Sequence, residues 1–575
     1  MSDYKTAKEA FVAGNAGTSL YNINAVSLAA LASYTLYAAF SCRFASSPLI
    51  DYLSIVLPLL FSITILSSFP LTFNATLLLL ALAVYVTKPS PTYSRHLNGF
   101  SPEGDHPKSA GSWLDESDSD EEPVEPTVTR ATPLKLPSQM IISAPSSSSS
   151  PISPSPSSLS VAEETPNKRT WKRRHSPTPS THSHTAIDIL PTPEFPSSTT
   201  LTNHTSTYPT RSKAGKQAEK DKLPFLSVYR AHMMIMTVHA ILAVDFGVFP
   251  RWQGKCEDFG TSLMDVGVGS FVFSLGIVSS RTFSSPSSTP LFASIFSVLK
   301  KSAPVLLLGL IRVVMVKGSD YPEHVTEYGV HWNFFFTLGL LPVLGTLLFP
   351  IRQNFMRWSI MGLVISAVHQ GLLKNTRLQG WVLSEARIGL VGMNKEGLVS
   401  LPGYLAIFLL GLSTGGHILR SASPVRSGPK SDASQTQSHY EKRRVELALV
   451  LFSYSIAWWG GLGVCRLLGG EVSRRLSNLP YVLWVAGYNT SFLLGYLVLE
   501  IALFPSSDRA VPPLLEAINS NSLSVFLIAN LLTGAINLSV QTMYASRVVS
   551  MGILVGYSVA ICGIAWAART LRLKL

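Results

Sequence analysis

Runs of about twenty mostly apolar residues, each long enough to cross a hydrocarbon core as a helix, recur along the whole chain. They fall near 23–41, 53–69, 71–87, 228–247, 260–279, 303–317, 331–349, 355–373, 400–418, 446–464, 480–503, 520–538 and 549–568. Backbone polar groups in lipid must be satisfied within the segment, and nothing here shows the two-residue alternation of a barrel strand. The expected fold is an all-α, polytopic transmembrane helical bundle of about thirteen spans. Composition agrees, with 46% of residues apolar and only 14% charged, which argues against an ordinary soluble enzyme. The net charge of +12 is spread between apolar blocks, unlike the concentrated footprint of a nucleic-acid binder, so no nucleic acid is expected as a partner. Cys42, Cys256, Cys465 and Cys562 lie far apart without a CxxC pair, so neither a disulfide scaffold nor a metal site is indicated. The first apolar block does not read as a cleavable signal peptide, because acidic and basic residues precede it and a second span follows closely.

Five segments follow from composition. Residues 1–87 carry the first three spans, 224–418 carry spans four to nine, and 446–575 carry the last four. Between them lie a long Ser/Pro-rich stretch at 88–223 and a shorter polar loop at 419–445. The 88–223 stretch holds 19 of the 37 prolines, an acidic cluster (DESDSDEE, 115–122) and a basic one (KRTWKRRHSP, 168–177). It cannot bury enough apolar surface to offset its ordering entropy and reads as disordered. Basic residues in 419–445 and in the final ARTLRLKL place both in the cytosol by the positive-inside rule. The N-terminus is then lumenal, the C-terminus cytosolic, and the Ser/Pro loop cytosolic.

Ionisable groups at the edge of a span are costly and mark candidate sites. The densest stretch is 240–281, AILAVDFGVFPRWQGKCEDFGTSLMDVGVGSFVFSLGIVSSR. Asp245 ends the fourth span, Pro250 breaks the helix, Lys255 follows ten residues after Asp245, and Asp265 opens the fifth span. The short connection allows Asp245 and Lys255 to meet at one membrane face. A carboxylate held between burial and a neighbouring ammonium can act as a general base for an alcohol; the plainer alternative is an ion pair that fixes the hairpin. Glycines around Asp265 allow either a ligand or a neighbouring helix to lie close.

A second polar stretch, 317–337, brings His331 and Asn333 to the start of the seventh span among several carboxylates. It lacks the HExxH spacing of a zinc site and suits polar head-group binding better. His369 with Gln370 reads as an interhelical hydrogen bond. Arg474 and Arg475 precede a span that buries Asn489, and paired guanidinium forks suit a phosphate, although interfacial anchoring fits as well. Asn530, Thr533 and Asn537 give the twelfth span polar groups without charge. No phosphate-binding loop, GxSxG elbow or dinucleotide fingerprint stands in a convincing setting. Residues alone leave two classes open: an enzyme acting on a lipid head group, or a multi-span lipid or solute transporter.

Six blocks in order, AILAVDFGVFPR, GTSLMDVGVGSFVFSLGIVSSR, EHVTEYGVHWNFFFTL, NKEG, SRRLSNLPYVLWV and AINSNSLSVFLIANLLTG, with KEAFVAGNAGTS (8–19) before them, resemble the inositol acyltransferases of GPI-anchor synthesis, in their fungal branch. The resemblance covers nearly all of the chain outside 88–223 and part of 419–445. It implies a thirteen-span endoplasmic reticulum enzyme moving a fatty acyl group, usually palmitoyl, from acyl-CoA to the inositol 2-hydroxyl of glucosaminyl-phosphatidylinositol. Acyl-CoA is then a co-substrate, and no cofactor is expected. The family's aspartate of AVDF and the lysine ten residues later correspond to Asp245 and Lys255, the implied catalytic pair. Asp265, Arg281, His331, Asn333 and Asn489 stand as substrate-binding or supporting candidates, with Arg474 and Arg475 on the phosphodiester.

Overall fold

The computed structural model describes residues 2–87, 223–284, 290–317, 325–354, 357–422, 433–504 and 510–571. Among them every regular element is helical. A short helix α1 (Ser2–Val12) leads into the first span, made of α2 (Leu20–Ser27) and α3 (Ala29–Ser41). The second span is short: α4 (Pro48–Asp51), one wide π turn and α5 (Leu57–Ile63). The third is α6 (Pro70–Val86). After the 88–222 stretch, whose expected disorder lies outside the described residues, come α7 (Pro224–Ala243), α8 (Leu263–Ser284) and α9 (Leu291–Lys317). A four-residue turn of helix, α10 (Val325–Tyr328), precedes α11 (Phe334–Asn354) and α12 (Trp358–Asn375). Short helices α13 (Leu378–Leu383) and α14 (Gly389–Met393) lead to α15 (Lys395–Ala422). The chain finishes with α16 (Ala433–Leu467), α17 (Leu479–Leu503), α18 (Pro513–Ser520), α19 (Ser522–Ser539) and α20 (Arg547–Ala567).

All thirteen expected segments are therefore helical. Among the described residues ten helices are long and apolar enough to cross a membrane, and Pro48–Ile63 and Pro70–Val86 are shorter apolar helices. The remaining expected segment, the eighth (α12), carries His369, Gln370 and Lys374, which dilute its hydropathy. The 419–445 loop is shorter than expected, because α15 runs on to Ala422 and α16 starts at Ala433.

Local chemistry sets the helix starts. Ser47, Asn478 and Ser546 each cap an N-terminus with a side-chain oxygen, and Pro48 and Pro480 occupy first-turn positions whose missing N–H is no loss. The main core is a large apolar cluster that includes α2, α3, α5, α7, α8, α15 and α17, with smaller ones between α3 and α6 and around Leu373, Val382 and Leu476. Leu78, Leu79, Leu82, Leu307, Leu310, Val314 and Leu449 instead point outward, as lipid-facing surfaces require. The closest crossing is α8 on α15. A Cβ on Gly276 would lie 2.3 Å from Phe408 O, and one on Gly411 the same distance from Phe273 O, so only hydrogens fit there.

Long-range polar contacts sort into two sets. At one end of the bundle, Thr18 N–H donates to Thr261 O (2.8 Å), Gln253 to Ile63 O (3.2 Å), and Lys8, Lys255 and Arg474 pair across loops. At the other end, Leu514 N–H donates to Asp51 (3.0 Å), Phe225 N–H to Glu500 (2.6 Å), and Asn521 to Ala568 O (3.0 Å). Residues 8–18 lie with the first set and Ala568 with the second.

Candidate active site

At the end of α7 the chain makes a tight turn in which Asp245 N–H donates to Leu242 O, aiming the carboxylate out of the helix end. The side chain is buried, with 8% of its surface exposed. Its Oδ1 lies 3.1 Å from Lys8 Nζ, and its Oδ2 accepts from Asn537 Nδ2 at 2.8 Å. Lys8 Nζ also donates to Asn537 Oδ1 (2.9 Å), as does Thr542 Oγ1 (3.2 Å), which fixes which way the amide faces. Pro250 then ends the turn, and the guanidinium of Arg251 ties it by donating to Phe246 O and Phe249 O while lying over the Phe11 ring at 4.2 Å.

Lys255 is the second centre. Its Nζ lies 2.7 Å from both carboxylate oxygens of Glu327, on α10, and a third of its side chain stays exposed. Among the described residues no ion pair joins Asp245 to Lys255; each has a partner from elsewhere in the chain. The loop brings both to the same face, but not into direct contact.

Asp265 and Arg474, singled out separately in the sequence, meet. Arg474 Nε donates to Asp265 Oδ1 at 2.6 Å with both side chains essentially inaccessible. The other oxygen accepts from Cys256 N–H (3.0 Å) and Ser262 Oγ (2.8 Å), and Tyr481 OH donates to the Asp265 carbonyl. Burial works against the Arg474 charge, but Asp265 and Glu327, with Tyr404 and Tyr328, together outweigh it and hold the guanidinium above its ordinary range. Burial, with Asp265 beside it, pushes the Cys256 thiol up, so it is a neutral, inert sulfhydryl.

Arg475 is equally committed. It donates to Asp258 (2.6 Å) and to Glu396 (3.0 Å), and Glu396 also receives both terminal nitrogens of Arg387. The neighbouring Lys395 is wholly buried, its ammonium enclosed by the carbonyls of Trp381, Ser384 and Ala386. The NKEG block thus ties down 378–394, and its Asn394 accepts from the amides of His331 (2.8 Å) and Trp332 (2.9 Å).

Several expected binding residues have other work. Asn333 is used fully: Oδ1 accepts from the first amides of α11, and Nδ2 donates to Gly309 O. Asn489 lies ten residues into α17, bonded to Tyr229 OH (2.6 Å) and Val485 O (2.7 Å), so it joins helices rather than facing a substrate. Arg281 sits in the last turn of α8, sixteen residues and about 24 Å along the axis from Asp265, at the opposite face. His369 bonds Leu476 O (2.9 Å) and Gln370 accepts from Leu479 N–H, the interhelical role read from the sequence. The phosphate reading of Arg474 and Arg475 meets a geometry in which carboxylates already compensate both charges. His331 stays half-buried on the polar face.

Three contributors escaped sequence reasoning: Lys8, Asp258 and Arg387. Lys8 opens the KEAFVAGNAGTS block, the one signal that could have drawn it in. That block lies along the 244–262 loop: Gly14 N–H donates to Glu257, and Gly17, at φ +77°, packs so closely that a Cβ would come within 2.3 Å of Thr261 O.

Fold and site together define a multi-span helical membrane protein whose ionisable groups gather at one face, around a buried carboxylate and a half-exposed ammonium. Comparison with known proteins narrows the class. The chain belongs to the GWT1 family, whose model matches residues 4–132 and 180–568. It is similar to the GPI-anchored wall transfer protein 1 of Cryptococcus neoformans var. grubii, 49% identical over 618 aligned positions covering all of both chains. The protein of the same name from Aspergillus fumigatus is 33% identical across all of this chain and 99% of its own. That from Yarrowia lipolytica is 44% identical over 64% of this chain and 76% of its own.

Proposed function

We propose that the protein is an acyl-CoA-dependent O-acyltransferase of GPI-anchor biosynthesis in the endoplasmic reticulum membrane. It moves a palmitoyl group from palmitoyl-CoA to the inositol 2-hydroxyl of glucosaminyl-phosphatidylinositol. The polar face is lumenal in this reading. Membership of the GWT1 family, and the GPI-anchored wall transfer named in its relatives, support the process. The observation that carries the chemistry is the Asp245 carboxylate, buried at a helix end and held by one ammonium and one amide, with oxygen lone pairs left to accept a proton.

Asp245 takes the proton of the inositol hydroxyl as that oxygen attacks the thioester carbonyl. The C–O bond forms, the carbonyl oxygen becomes an oxyanion, and the C–S bond then breaks to release the coenzyme A thiolate, which recovers the proton from Asp245 or water. Lys255, held on one side by Glu327, keeps 34% of its side chain exposed, more than Lys8, Arg387, Arg474 or Arg475, so its ammonium is the one assigned to the developing oxyanion or to the phosphodiester. Arg474 and Arg475, closed by carboxylates, hold the 255–265 and 378–396 segments in place instead. Cys256 is buried and protonated, which favours direct transfer over an acyl-cysteine intermediate.

The rival class, a transporter, is separated by one assay. Purified protein in detergent, where no compartments exist, converts glucosaminyl-phosphatidylinositol to its inositol-acylated form when palmitoyl-CoA is supplied. Failure to form product with folded, monodisperse protein sinks the enzyme reading.

A further inference from the structure

The ammonium that touches Asp245 comes from α1, not from the adjoining loop. Lys8 Nζ sits 3.1 Å from Oδ1 and 2.9 Å from Asn537 Oδ1, while Asn537 Nδ2 reaches Asp245 Oδ2 at 2.8 Å. The three side chains close a ring of hydrogen bonds, with Lys8 only 12% exposed. Nothing about a helix-end carboxylate requires a ligand from so far away in the chain; a water or the next loop serves in most such turns. Here the preceding chain is clamped to deliver it. Arg251 covers Phe11, Tyr4 packs on Tyr544 at 5.9 Å between ring centres, and Gly14 N–H donates to Glu257. Thr18 and Thr261 exchange hydrogen bonds, N–H to O at 2.8 Å and Oγ1 to O at 2.5 Å. Gly17 and Gly260, both at positive φ, let the two backbones touch: a Cβ on Gly260 would meet Ala16 O at 2.4 Å.

We propose that Lys8 is a positioning residue of the active site: α1 straps it across the end of α7, where its ammonium and the Asn537 amide orient the Asp245 carboxylate for proton abstraction. This rests on the reading of Asp245 as general base. Among the described residues the charged groups facing Asp245 are Lys8 from α1 and Arg251 from the following turn. Arg251 directs Nε and Nη2 to Phe246 O and Phe249 O and acts on Asp245 through its charge, whereas the ion pair with the carboxylate is made by Lys8. The other elements at the carboxylate bring only the amide of Asn537 and, behind it, the hydroxyl of Thr542.

The test uses the full-length protein in detergent with palmitoyl-CoA and the glycolipid. Lys8→Met, matched to the parent for melting temperature, lowers kcat with KM unchanged, and Lys8→Arg restores kcat. Where Lys8→Met does not reach the membrane folded, Lys8→Cys is treated with 2-aminoethyl methanethiosulfonate, which rebuilds an ammonium, or with the neutral methyl reagent. Only the first recovers the parent kcat. No loss, or a loss that the neutral reagent reverses equally well, overturns the proposal while leaving Asp245 as base. An Asp245→Asn protein that keeps its turnover removes the base itself, a distinct result.

Discussion

Asp265 and Arg474 show how a single pair divides stability from chemistry. Both are buried and lie 2.6 Å apart, so removing one leaves an uncompensated charge without water. Asp265→Asn or Arg474→Met alone is expected to cost about 3–5 kcal/mol, read as a large fall in the thermal midpoint of the purified protein. The double replacement Asp265→Leu with Arg474→Met loses much less than the two single losses added. Strict additivity contradicts a direct pair. Cys256, a few bonds away, gives the opposite expectation: its raised thiol makes it a spectator, and Cys256→Ser keeps normal turnover. Loss of acyl transfer in that variant points to an acyl-cysteine. Residue types were legible in the sequence, since charges at span edges stand out against lipid. Partners were not. Lys255 is the nearest ammonium to Asp245 along the chain, yet the carboxylate pairs with Lys8, 237 positions away by subtraction, because tertiary packing and not spacing decides which side chains meet.

At the scale of elements, the sequence revealed where helices lie because the length of an apolar run is itself the physical requirement. It left their terminal turns less certain. The polar start of α16 reads as loop, although the helix begins at Ala433. The π turn at Tyr52–Val56 has no signature in its residues. Glycine spacing in α8 pointed to close approach of something; the structure divides the positions. Gly269 and Gly276 pack on α17 and α15, whereas Gly267 faces open space. Gly276→Val is expected to force α8 from α15 and with it the first turn that holds Asp265, seen as loss of folded protein on size-exclusion chromatography. Gly267→Ala leaves the yield intact. Gly17→Ala combines a left-handed backbone with a backbone collision and costs about 1–3 kcal/mol; it loosens the α1 strap, lowering turnover more than it lowers the melting temperature.

Among the described residues ten helices have the length and hydropathy to cross a membrane, with shorter apolar helices beside them, and the ion pairs around Asp245, Lys255 and Asp265 join loops at one end of the bundle. Segment count, apolar surface and the order of loops were readable from hydropathy alone, while the convergence of five loops at one end emerges only when the helices pack. The thirteen spans expected from the sequence predict that tags within 88–222 and after Leu575 react with a membrane-impermeant reagent from the same side, and that a tag before Ser2 reacts from the other. Both chain ends reacting together would contradict that count. The Asp245 carboxylate, held by Lys8 and Asn537, is the centre of the proposed chemistry. Its most direct test is single-turnover acyl transfer by Asp245→Asn, matched to the parent for abundance and melting temperature. The account predicts a rate lower by about 10²–10⁴-fold with palmitoyl-CoA binding retained. A rate within a few-fold of the parent contradicts it.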